Sequence, residues 1–375
     1  MYCKHSSTLR IAWIAAAIIV SLAAAASSRP RKKPVGPKVE WIEKMYDFGA
    51  FDESVGPVSC RFSFVNTGNE PVAVIAARPN CGCTAPKYST TPIAPGDTGF
   101  VAVSYDPAGR PGRFDKFVAV DLSYPSSRIK LHVAGTVIGA PSSVSQRFPA
   151  ACGSGLLLAK GALMTGEVDK GQLRTVFLGG YNSSPDTLQP SVEGLPPYLQ
   201  AAVEPQRVPP GEQVSFVFYF NSAECPLYGL VTDSITIRPG AGAEACDIPS
   251  VAIVRENFSR LTPGQLAKAP VVYIAEPVAD FGRISRSDAT LSRTITIGNQ
   301  GKNALEIRRV YTTDPGVGVT VNTTRVKKGK QAEATITVDP GALPGAMLNA
   351  RISVITNDPA NPVQTIRVVG EFVNN

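Results

Sequence analysis

Phe62-Ser63-Phe64-Val65-Asn66-Thr67-Gly68 sets two aromatic rings on alternate residues and then runs into a polar turn. The pattern returns at Ile295-Thr296-Ile297-Gly298-Asn299-Gln300-Gly301, 233 residues later. A period of two places one set of side chains in a core and the other in water, so each stretch reads as a half-buried strand entering a turn. Working outward, Asp47-Phe48-Gly49 recurs as Asp280-Phe281-Gly282, Tyr105-Asp106-Pro107 as Val338-Asp339-Pro340, and Pro111-Gly112 as Pro344-Gly345, all at the same offset. Half of that offset is close to the length of one β-sandwich, about 100 residues. A fainter middle copy is carried by Val208-Pro209-Pro210-Gly211, which echoes Ile93-Ala94-Pro95-Gly96. Self-similarity at a fixed period makes the chain an array of three related modules.

The rest of each module fits strands. Ile129, Leu131 and Val133 alternate with polar neighbours, as do Ile352 and Val354, and turn formers such as Pro95-Gly96-Asp97 and Pro315-Gly316 punctuate the runs. No apolar stripe of helical period and length follows residue 26. The expected fold is therefore all-β: three tandem immunoglobulin-like antiparallel sandwiches, with about seven strands each. Expected boundaries are 39–139, 151–259 and 271–375, joined by linkers at 140–150 and 260–270. The middle module is the divergent one, keeping the Pro-Gly turn but not the Asp-Phe-Gly or Asn-Thr-Gly signatures.

Asp47-Phe48-Gly49, Asn66-Thr67-Gly68, Cys81-Gly82-Cys83-Thr84 and Ile93-Ala94-Pro95-Gly96-Asp97, in that order, resemble the bacterial family called domain of unknown function 1573. Its members are immunoglobulin-like domains, similar to Hydin sandwiches and frequent in exported Bacteroidota proteins. The resemblance covers 39–139 directly and 271–375 through the internal repeat. It implies a fold and an exported location. The family has no established activity, so no catalytic residue is implied.

Composition bounds the function. The 375 residues are 43% apolar and 18% charged, with 33 Gly and 32 Pro, which suits many short strands joined by turns. Two histidines, His5 and His132, leave almost no room for Ser-His-Asp catalysis or a His-rich metal site. The net charge of +7 is uneven: residues 1–38 hold seven basic and no acidic side chains, while 151–259 hold six basic and eleven acidic. The basic excess thus lies outside the folded modules, and no nucleic-acid-binding face is expected. Lys4 and Arg10 precede an apolar run, Ile11–Ala26, that ends in small residues. That is the form of a secretory signal peptide over 1–26, and the run is shorter than the roughly 20 residues needed to span a bilayer. Residues 27–38 read as a basic, Pro-rich spacer. The mature chain is expected without a transmembrane span, in the periplasm or cell envelope, or secreted.

Six cysteines follow the signal. In an exported chain they invite disulfides. Strand directions put Cys60, Cys81 and Cys83 at one end of the first module. Cys81 and Cys83 are not expected to pair, because two extended residues span about 6.6 Å, at the edge of workable geometry. Open readings are a bridge from Cys60 to Cys81 or Cys83, an inert reduced cluster, intermolecular bonding, or a soft-metal or redox site for Cu(I) or Zn(II). The offset of 233 places Arg293, Asp314 and Gly316 at the matching positions of the third module, so the sandwich does not require these thiols. In the second module, Cys225 and Cys246 bracket a strand of about 33 Å and should not meet. Cys152 and Cys246 precede strands that begin at the same end, and a disulfide between them is expected. Asn182-Ser183-Ser184, Asn257-Phe258-Ser259 and Asn322-Thr323-Thr324 fit the glycosylation pattern, which matters only in a host with that machinery. The expected function is non-catalytic binding or scaffolding toward a protein or envelope component, with no cofactor. The rival is metal handling or redox chemistry at Cys81 and Cys83.

Overall fold

The structure, a computed structural model, describes residues 38–123, 128–343, 345 and 347–373. The expected signal peptide and all of the spacer but Lys38 lie outside the described residues. The described chain forms three β-sandwiches. In the first, the strands Val39–Trp41, Val58–Asn66, Thr98–Tyr105 and Thr84–Tyr88 make one sheet, in that spatial order. Met45–Asp52, Ile129–Ile138, Gly112–Leu122 and Val74–Pro79 make the facing sheet. Along Val58–Asn66 the inward set is Cys60, Phe62, Phe64 and Asn66, as the alternation requires. Phe62 and Phe64 are fully buried, each contributing about 1.5–3 kcal/mol by leaving water. Each sandwich has its own core, built around Phe62 and Leu131 in the first, Phe216 and Ile235 in the second, and Ile336 and Ile352 in the third.

The sheets are antiparallel except for one pair in each sandwich. Val39–Trp41 pairs antiparallel with Val58–Asn66; the chain then crosses to the other sheet, where Met45–Asp52 lies parallel to the last strand. Leu163–Asp169 and Val278–Ser285 repeat this parallel pairing with the last strands of their sandwiches. The first strand serves both sheets in turn, so its second half meets the last strand from the opposite sense. Each parallel pair carries a bulge at a glycine of positive φ: Gly49 at 68°, Gly166 at 75° and Gly282 at 66°. The Asp47 and Asp280 carboxylates accept the amides of Gly49 and Gly282, each at 2.8 Å, which explains the Asp-Phe-Gly signature. The middle module keeps only the glycine.

The Asn signature proves to be threefold. Asn66 Nδ2 donates to the carbonyls of Glu70 and Ile93 at 2.8 and 2.9 Å. Asn182 Nδ2 donates to Asp186 and Val208 at 2.7 and 2.8 Å, and Asn299 Nδ2 to Asn303 and Val326 at 2.7 and 3.0 Å. In all three, Oδ1 accepts the amide two residues on, at Gly68, Ser184 and Gly301. The reading of the middle module as lacking this signature is corrected: Asn182-Ser183-Ser184 is its copy, with serine where the others have glycine. Asn182 is fully buried, so it is no glycosylation acceptor in the folded chain.

Part of the first linker is helical. Pro141–Arg147 forms seven residues of α-helix with proline in its first turn. A helix this short does not stand alone in water, and it is held by packing of Val144 and of Phe148, at its C-terminus, with Tyr181 of the second sandwich.

Candidate functional site

Cys81 and Cys83 are bonded to each other, which corrects the expectation that they would not pair. The extended-chain spacing does not apply, because residues 81–84 form a turn closed by Thr84 N donating to Cys81 O at 3.4 Å. The turn brings the two α-carbons to 5.3 Å, within ordinary disulfide range. It lies where the chain leaves one sheet at Pro79 and enters the other at Thr84. Thr84 Oγ1 sits 3.3 Å from Cys81 Sγ and 3.8 Å from Cys83 Sγ.

Cys60 belongs to the same core but does not join them. Val58, Tyr105 and Thr84 share one row across the sheet. Cys60 lies two residues to one side of that row. Cys83 lies one residue to the other side and two strands away, giving roughly 14 Å between their α-carbons from ordinary strand spacings. A bridge needs less than about 7 Å. The possible thiol or metal cluster of Cys60, Cys81 and Cys83 is therefore not assembled in this structure. Burial, with a smaller contribution from Glu43, pushes the Cys60 thiol up to about 11, so at neutral pH it carries its proton and is a poorer nucleophile than an exposed cysteine. Cys81 and Cys83 offer no thiolate to Cu(I) or Zn(II) until two electrons reduce them. Among the described residues, no group of three His, Cys, Asp or Glu side chains is placed to hold a metal. His132 stands on the exposed face of its strand, 3.2 Å from Asp115.

In the second sandwich Cys152 and Cys246 are bonded, with α-carbons 5.0 Å apart and a sequence separation of 94. Cys225 is fully buried and free, and burial raises its thiol as well.

The two junctions between sandwiches are the places that reading the sequence missed. At the first, the Glu53 carboxylate gathers three donors: Gly109 N and Ser143 Oγ on Oε1, both at 2.7 Å, and Ala140 N on Oε2 at 2.9 Å. Burial would raise this acid, but the three hydrogen bonds outweigh it and hold Glu53 below the usual carboxylate range. Across the joint, Tyr181 Oη accepts Gly139 N at 3.3 Å, Thr136 Oγ1 donates to Glu212 at 3.3 Å, and Gln213 Nε2 donates to Pro111 O. Between the sandwiches lies a groove of about 600 Å³ lined by Ile138, Val144, Phe148, Leu157, Tyr181 and Pro210, among others.

The second junction uses the same device. Tyr311 Oη accepts Leu230 N at 3.0 Å, and the Arg309 guanidinium donates to the carbonyls of Tyr228 and Leu230 at 3.0 and 2.6 Å. Arg308 grips Glu256 with two hydrogen bonds, at 2.7 and 3.1 Å. Gly229 has φ 74°, and a β-carbon there would lie 2.8 Å from Tyr311 Oη. No motif announces these contacts; the nearest signal is Tyr228-Gly229, a turn-type glycine after one tyrosine.

The fold and its junctions define a chain of immunoglobulin-like modules. Residues 39–137 match the family described as protein of unknown function DUF1573, and residues 270–371 match the HYDIN/CFA65/VesB-like Ig-like domain. No curated protein matches the chain. Among solved structures, a protein of unknown function from Porphyromonas gingivalis W83 is 21% identical, with a TM-score of 0.45, over 58% of this chain and 100% of that one. The sialic acid binding region of a Streptococcus sanguinis SK1 adhesin is 10% identical, with a TM-score of 0.23, over 59% and 78%. The secreted serine protease VesC of Vibrio cholerae is 12% identical, with a TM-score of 0.25, over 58% of this chain and 50% of its own.

Proposed function

We propose that the chain is an exported, non-catalytic binding or scaffolding protein of the bacterial cell envelope, with its sandwiches as domains near 39–139, 151–259 and 271–375. The observation that carries this reading is the bonding of both junctions, where Tyr181, Gln213, Tyr311 and Arg309 tie each sandwich to the next and Glu53 fixes the linker to the first. A chain joined in this way presents loops from three modules in one fixed arrangement, which suits contact with an extended partner more than chemistry on a small substrate. The Cys152–Cys246 and Cys81–Cys83 disulfides support an oxidising compartment. No helix among the described residues is long and apolar enough to cross a membrane. The test is in-cell cross-linking followed by pull-down from the native envelope. A defined protein or envelope polymer should be enriched over a control bait. Recovery of nothing beyond that control, in repeated preparations, removes the scaffolding role.

A further inference from the structure

The groove at the first junction carries an inference of its own. Its volume, about 600 Å³, lies within the range of small-ligand sites, which favour domain interfaces. No charged side chain lines it; the walls are Ile138, Val144, Phe148, Leu157, Tyr181 and prolines. Four hydroxyls reach it, and three are spent. Ser145 donates to Ser142 O, Ser183 to Gly155 O, and Ser184 to Asn182 Oδ1 or Asp186 O. Tyr181 differs: it is 3% exposed, its oxygen accepts Gly139 N, and among the described residues its proton has no acceptor. Burial keeps the phenol protonated. A buried donor without an acceptor is costly, and a ligand oxygen would relieve that cost.

The neighbouring backbone narrows the choice. The amides of Asn182, Ser183, Ser184 and Gly211 all donate within the protein already. A peptide laid in the groove would need several donors and acceptors, whereas a hydrocarbon chain with one carbonyl needs a single donor. We propose that this groove binds one acyl chain, with the chain against Ile138, Val144, Phe148 and Leu157 and its carbonyl oxygen accepting the Tyr181 hydroxyl.

The test titrates the purified protein with N-phenyl-1-naphthylamine, a neutral apolar dye, and then displaces the dye with monolaurin. One saturable dye site per chain and full displacement are expected. Ile138→Glu puts a charge on the groove wall at a half-exposed position and should weaken dye binding at least about tenfold, with an unchanged melting temperature. Tyr181→Phe should weaken monolaurin about fivefold more than it weakens the dye, the effect of one hydrogen bond that only monolaurin makes. Flotation with phosphatidylcholine vesicles, lost in Ile138→Glu, would identify a bilayer as the source of the chain; its absence alongside monolaurin binding would identify a free amphiphile. The proposal is overturned if the dye shows no saturable site, if Ile138→Glu binds like the parent, if Tyr181→Phe weakens dye and monolaurin equally, or if an apolar peptide displaces the dye and monolaurin does not.

Discussion

Asn66, Asn182 and Asn299 each join a turn to the body of its sandwich by donating two hydrogen bonds and accepting the amide two residues on, in full burial or close to it; Asn182 also accepts Ser184 Oγ and Asn299 also accepts Val271 N. Alanine at any of the three leaves two carbonyls and at least one amide without partners, so each substitution should destabilise its own module by about 2–4 kcal/mol. Urea unfolding, followed by a probe placed in each sandwich, would show the loss confined to one module; a change below about 1 kcal/mol at Asn182 would remove the threefold equivalence. The cysteines make a second prediction at this scale. In a chain beginning at residue 27, iodoacetamide should label neither Cys60 nor Cys225 in the native protein. After unfolding without reductant it should label those two alone. Raised thiol pKa values and burial both slow the native reaction. Alkylation of Cys81 or Cys83 before reduction would contradict the pairing.

At the scale of elements, the joints turn single side chains into hinges or locks. Glu53 is held below the ordinary carboxylate range in the folded state, so its contribution is fully present above its unfolded value, near 4.5, and is lost as pH falls through the lower folded value. Proteolysis within 139–150 should therefore accelerate on acidification below about pH 4.5. Glu53→Gln should show that faster cleavage at neutral pH, with little further change in acid. An identical pH profile for both proteins would show that Glu53 does not hold the joint. At the second joint, Gly229→Ala combines an unfavourable φ of 74° with a clash against Tyr311. Small-angle scattering should report a broader distribution of interdomain distances for this variant, while the circular dichroism of the sandwiches stays unchanged.

For the whole molecule, the two disulfides act on different lengths of chain. Cys152–Cys246 closes a loop of 94 residues, and in the chain-entropy model that constraint contributes about 4–5 kcal/mol; Cys81–Cys83, two residues apart, contributes under about 2 kcal/mol. Replacing Cys152 and Cys246 by serine should thus lower the unfolding midpoint of the second sandwich markedly, and the same change at Cys81 and Cys83 should leave the first nearly as stable. Equal losses would show that the short bridge does more than staple a turn. The third sandwich, with no cysteine, is held without a disulfide, by its apolar core and hydrogen bonds such as those of Asn299.

Alternating residues and turn glycines were enough to determine strands, sandwiches and their repetition, because both are local: a period of two sets which side of a strand is apolar, and Gly49 or Gly282 marks a bulge whatever surrounds it. The turn at 81–84 defeated an argument from extended spacing, since one hydrogen bond between Thr84 and Cys81 shortened the span to 5.3 Å. Asn182 was legible in principle, at the correct distance from Asn66 and Asn299, but serine in place of glycine hid it. Glu53 meets Ser143 across 90 residues, and Tyr181 meets Gly139 across 42. No pattern in the chain encodes which faces of neighbouring modules will touch. That was decided only by the tertiary structure, because a junction depends on shape and on polar atoms left over after each sandwich has satisfied its own, and both exist only once the modules have folded.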